Sequence, residues 1–138
     1  MGTVYFPSDV GAEIVDVEFV TPSVTSRSLR LLVDSGFTGK SSLVLDRHDI
    51  DLVWASVPPA IASGALQGRQ NRAWVTCRIP GLSFEWTMIA ILGEVSDLSL
   101  PPGVNGMAGL RFLRHFTRWG AERRDASRWQ FFLSDSNE

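Results

Sequence analysis

LRLLVDSGFTGKSSLVL, residues 29–45, joins two apolar runs through the loop Asp34-Ser35-Gly36-Phe37-Thr38-Gly39. An acidic side chain at the end of a buried strand is costly unless it is hydrogen-bonded or used. The small Ser35 and Gly36 beside it permit a tight turn, in which backbone N–H groups can reach the Asp34 carboxylate. The stretch predicts strand, loop and strand, with Asp34 at the lip.

Working outward, residues 13–20 alternate, with Val15, Val17 and Phe19 on one side and Asp16 and Glu18 on the other. That period of two predicts a half-buried strand. Thr21-Pro22-Ser23 predicts a turn, and Ser28–Val33 the next strand. Ser41–Leu45 is short and apolar, with no room for a long helix before Asp46-Arg47-His48-Asp49. Residues 55–70, rich in Pro, Ala, Ser and Gly, predict an exposed loop. Ala73–Ile79 and Leu82–Leu92 flank Pro80-Gly81, a hairpin signal. Gly106–Phe116 is the best helix candidate, because Met107, Leu110, Leu113 and Phe116 recur at helical spacing. Trp129–Leu133 predicts a closing strand. The pattern is mainly β with one short helix.

The chain has 138 residues, enough for one domain with a hydrophobic core. Apolar residues make up 44% and charged residues 20%, which excludes disorder as a default. A net charge of -2 offers no electrostatic footprint for nucleic acid or an anionic membrane. Arg111, Arg114, Arg118, Arg123, Arg124 and Arg128 form the one basic region, read as the solvated face of a C-terminal segment and secondly as a contact patch. Cys77 is the only cysteine, so no internal disulfide is expected, and a reducing compartment fits. Its apolar, alternating context predicts a buried thiol. No apolar run is long enough for a membrane-spanning helix, and the first residues lack the basic flank and apolar core of a secretion signal. A soluble, cytoplasmic protein is expected.

Two enzyme classes compete for the Asp34 loop. Gly39-Lys40-Ser41 after an apolar strand resembles the phosphate-binding loop of P-loop NTPases. That motif places a glycine five residues before Gly39, where this chain has Asp34. A carboxylate there repels a polyphosphate and removes the backbone freedom the loop requires. The sequence after Ser41 also carries loop and hairpin signals rather than a helix.

The alternative rests on two motifs. The loop Asp34-Ser35-Gly36-Phe37-Thr38-Gly39 between apolar strands resembles that of retropepsin-like aspartic proteases, in their small single-domain subgroup. Met107-Ala108-Gly109-Leu110-Arg111-Phe112-Leu113 resembles the apolar-apolar-Gly-x-x-x-Leu segment that leads into the single helix of that fold. Arg111 stands where many relatives carry an acid, and the resemblance implies a single domain over 1–138 with its core about 13–133. The resemblance implies a closed β-barrel with one short C-terminal helix. It also implies that the glycine-bearing segment passes beneath the active-site loop, where a side chain would block the crossing. Ala62–Gly68, containing Gly64, Ala65 and Gly68, corresponds to a flap over substrate or to a plain exposed loop.

The implied chemistry needs two carboxylates sharing one proton, so that one acts as base while the other acts as acid. This chain supplies one such loop, so the resemblance implies a homodimer with Asp34 and its mate at the two-fold axis. Asp34 would activate water and then protonate the leaving nitrogen. Ser35 would hydrogen-bond across the dimer, Gly36 would donate its N–H to the carboxylate, and Phe37 would contact substrate. Phe37 has no hydroxyl to offer the carboxylate, which predicts an optimum from mildly acidic to near neutral pH. No cofactor and no metal are expected. The partners implied are a peptide or protein substrate and a second copy of the chain, with no nucleic acid and no membrane. The reading from another class is a catalytically silent β-barrel that binds peptide or mediates dimerisation.

Elsewhere, His48 and His115 have no metal-ligand spacing with each other or with Cys77. His48 fits a solvated turn and His115 the polar side of the helix. The five tryptophans, 54, 74, 86, 119 and 129, are expected in the core or at a dimer interface.

Overall fold

The computed structural model of the chain describes residues 2–7, 12–62, 68–125 and 128–135. Its elements run β1 (Thr3–Pro7), β2 (Ile14–Val20), β3 (Ser26–Val33), β4 (Leu43–Asp46) and β5 (Ala55–Ala62). They continue with β6 (Gly68–Arg78), β7 (Glu85–Gly93), β8 (Gly106–Ala108), α1 (Leu110–Leu113), β9 (Arg118–Asp125) and β10 (Arg128–Ser134). The fold is mainly β with one short helix, as the residue pattern predicts.

Alternation drives the core. Val15, Val17 and Phe19 of β2 are fully buried and Asp16 is exposed. Leu29 and Leu31 of β3, Leu43 and Leu45 of β4, and Val75 and Cys77 of β6 join the same cluster. Each such side chain contributes about 1.5–3 kcal/mol when removed from water. The six strands β2-β3-β8-β4-β7-β6 close on themselves, because β6 returns to pair with β2 through Glu18↔Arg78, Phe19↔Cys77 and Val20↔Thr76. The N-terminal part of β6 uses that same edge to pair with β5. A separate three-stranded sheet, β1-β10-β9, packs Phe6, Phe131 and Leu133 into the core.

The strand β8 decides the topology around the Asp34 loop. It lies between β3 and β4, parallel to the first (Leu31↔Gly106, Val33↔Ala108) and antiparallel to the second (Leu43↔Ala108, Leu45↔Gly106). The two strands joined by the loop are therefore held apart by a third that comes much later in the chain. Gly106 makes the insertion possible: a Cβ there would lie 2.2 Å from the Val44 carbonyl oxygen.

Several expectations change. The helix expected over Gly106–Phe116 is confined to Leu110–Leu113, because residues 106–108 find ladder partners on both sides and become strand. Phe112 and Phe116 nevertheless pack together on Phe84, with ring centroids 6.2 and 4.5 Å away. The loop expected over 55–70 contains β5 and the start of β6. Pro58-Pro59 is tolerated there because β5 is an edge strand whose register shifts between Val57 and Ala60. The residue pattern predicts neither β1 nor β9, and both form in the three-stranded sheet. The arginine cluster is divided among α1, the turn after it, β9 and β10, and all six arginines are exposed. The tryptophans are not in the core: all five are at least 36% exposed. In β6 the inward positions go to Val75 and Cys77, so the pleat turns Trp74 outward.

Candidate active site

Asp34 follows the last residue of β3, and its backbone N–H donates to the Ala108 carbonyl at 2.9 Å. The Asp34 carbonyl accepts from the Phe37 N–H at 3.1 Å, which closes the turn. Within that turn the Gly36 N–H donates to Asp34 Oδ1 at 2.9 Å. The small residues after the aspartate thus bring a backbone donor onto the carboxylate, as the sequence predicts. Asp34 is half-buried, whereas Ser35 and Gly36 are exposed. One face of the acid is fixed and the other is open to solvent.

The rest of the loop is anchored from below. The Phe37 carbonyl accepts from the Leu110 N–H at 2.9 Å, and the Gly109 N–H donates to the Ser42 carbonyl at 2.9 Å. Gly109 passes so close that a Cβ on it would meet Phe37 Cδ2 at 2.4 Å and the Phe37 carbonyl oxygen at 2.7 Å. The Arg111 Nε donates to the Gly39 carbonyl at 2.9 Å, so an arginine ties α1 to the loop. Gly39 has φ +113°, a conformation that favours glycine.

Of the expected site residues, Asp34, Ser35, Gly36 and Phe37 form this turn together. Gly68 opens β6 and pairs with Ala62 across β5, while β7 separates β6 from β4. Gly64 and Ala65 lie outside the described residues. The Gly39-Lys40-Ser41 segment runs into the strand β4, so its backbone amides do not sit at a helix N-terminus as a phosphate-binding loop requires.

A groove of about 500 Å³ opens on the far side of the loop, between α1 and the outer faces of β6 and β7. Lys40, Ser42, Trp74, Met88, Arg111 and Arg114 are among its lining residues, and Asp34 is not. The sequence pattern does not single out this groove. Its only local signals are Lys40 beside Gly39 and the two arginines after Gly109.

His48 is exposed and its Nδ1 lies 2.7 Å from Asp46 Oδ1. Asp46 is held below the usual carboxylate range, first by the His48 backbone N–H and also by the His48 ring. His115 is half-buried rather than on a free polar face, its ring 4.9 Å from Trp86. Among the described residues no group of three His, Cys, Asp or Glu side chains could hold a metal ion. Among them too, no helix is long and apolar enough to cross a membrane. The chain matches no family model, no curated protein and no solved structure in the comparisons made with it.

Proposed function

We propose that the chain is a retropepsin-like aspartic endopeptidase that acts as a homodimer. The observation that carries this reading is the crossing at the Asp34 loop. A carboxylate caught by the Gly36 N–H ends one barrel strand, β8 is inserted between the two strands that the loop joins, and Gly109 runs beneath Phe37. Such an anchored turn presents an acid with fixed geometry and an open face, which is what a shared-proton pair requires.

In this mechanism Asp34 and its mate meet at the two-fold axis and hold one proton between them. The ionised carboxylate takes a proton from water as that water attacks the peptide carbonyl. The protonated one hydrogen-bonds the carbonyl oxygen, and the pair then returns a proton to the departing nitrogen. Ser35 bridges the two loops. Substrate binds as an extended strand, with backbone hydrogen bonds for affinity and side-chain pockets for preference. A single, buried cysteine suits a cytoplasmic setting.

The test is cleavage of a mixed peptide library by the wild-type chain and by Asp34→Asn, with sedimentation of both. Cleavage by the first alone, from a dimer, is the expected result. Equal peptide binding by both and cleavage by neither identifies a catalytically silent β-barrel binding module instead.

A further inference from the structure

The groove between α1 and the outer face of β6 and β7 gathers cations on a chain of net negative charge. The chain as a whole carries a net charge of -2, yet Lys40, Arg111 and Arg114 converge on this groove and no aspartate or glutamate lines it. Among the described residues the side chains of Lys40 and Arg114 have no hydrogen-bond or ion-pair partner. Arg111 spends only its Nε on the Gly39 carbonyl, which leaves both terminal guanidinium nitrogens as donors. Cations gathered without a carboxylate repel one another, an arrangement that an oxyanion relieves.

A second observation points the same way. Ser42 lines the groove, is 2% exposed, and its hydroxyl has no hydrogen-bond partner among the described residues. A serine hydroxyl at the groove wall that no protein group engages is a donor for an acceptor bound there. The lining also includes Trp74, Ile89 and Leu110, which give a surface for a hydrophobic body. At about 500 Å³ the volume falls inside the range of small-molecule sites, roughly 300–1,000 Å³.

We propose that this groove binds a small organic molecule bearing an oxyanion, a phosphate or a carboxylate. The oxyanion sits among Lys40, Arg111, Arg114 and the Ser42 hydroxyl, and the apolar body lies on Trp74 and Ile89. The site is separate from Asp34, so it stands whether or not the chain cleaves peptides. It also gives a role to Lys40, which the proposed protease chemistry leaves unused.

Calorimetric titration with phenyl phosphate, benzoate and the neutral benzyl alcohol, at low salt and without phosphate buffer, tests the proposal. At least one anion is expected to bind with Kd below about 1 mM, and the alcohol far more weakly. The tighter of the two anions names the group that the natural ligand carries. Arg114→Gln and Lys40→Gln should each weaken binding by about fivefold or more, the loss of one charge-assisted contact. Arg128→Gln, a cation outside the groove, and Asp34→Asn should leave the affinity unchanged. Equal binding of the alcohol, no binding of either anion up to about 10 mM, or unaltered affinity in both groove variants would overturn it.

Discussion

Gly109 lies against Phe37 with no room for a methyl group between them: a Cβ would fall 2.4 Å from the ring and 2.7 Å from the carbonyl oxygen. The Gly109 backbone is itself extended, at φ -94° and ψ -174°, so the constraint is steric and not conformational. Gly109→Ala should therefore destabilise the fold by about 1–3 kcal/mol through overpacking. Denaturant unfolding measures this. Phe37→Ala in the same chain should restore only part of the loss, because the carbonyl contact remains. Full restoration would show that the ring alone sets the spacing.

Self-association and activity should rise together. If twin Asp34 residues form the catalytic pair, activity per chain falls on dilution in step with the dimer fraction seen by sedimentation. The pH optimum should lie between mildly acidic and near neutral, since Phe37 gives the carboxylate no hydroxyl. Peptidase activity that is constant on dilution while the chain is monomeric, or that peaks below about pH 3, contradicts this account.

Cys77 should be inert while the protein is folded. It is fully buried and burial pushes its thiol from 9.0 up to about 12. Ellman's reagent at neutral pH should find no reactive thiol in the native chain and one per chain in denaturant. Because the folded form retains its proton longer, stability should decline as pH rises above 9.0, where the unfolded thiol ionises first. Cys77→Ala should lessen that decline.

His115 gives the opposite slope at the acid end. Desolvation, and then the positive charge of Arg111, lower its pKa below the ordinary 6.5. The unfolded chain then binds a proton more readily than the folded one, so stability is lost as pH falls through 6.5 towards the lower folded value. Above 6.5 both forms are neutral and the effect vanishes. Urea midpoints measured from neutral to acid pH should fall less steeply in His115→Gln than in wild type.

Much of the barrel was readable residue by residue. The Val15, Val17, Phe19 alternation becomes β2, and the apolar runs on either side of Pro80-Gly81 become paired strands β6 and β7, though the connection extends from Ile79 to Phe84. Asp34 between two apolar strands, with a glycine N–H on its carboxylate, was likewise legible, because a turn of that size is decided by neighbouring residues. The resemblance implies a glycine crossing at Gly109, and the structure brings Gly109 against Phe37 with no room for a Cβ.

The amino-acid sequence by itself determined which segments alternate, where the acid-bearing turn falls and which single thiol is buried. All of these follow from side chains within a few residues of one another. Only the tertiary structure decided that Gly106–Ala108 is strand and not helix, since its ladder partners on β3 and β4 lie more than sixty residues earlier. The same is true of β5, which uses the spare edge of β6, and of the groove where Lys40, Ser42, Trp74 and Arg114 meet. Backbone groups and charges find partners by proximity in space, and a local pattern holds no record of which distant edge will be free to receive them.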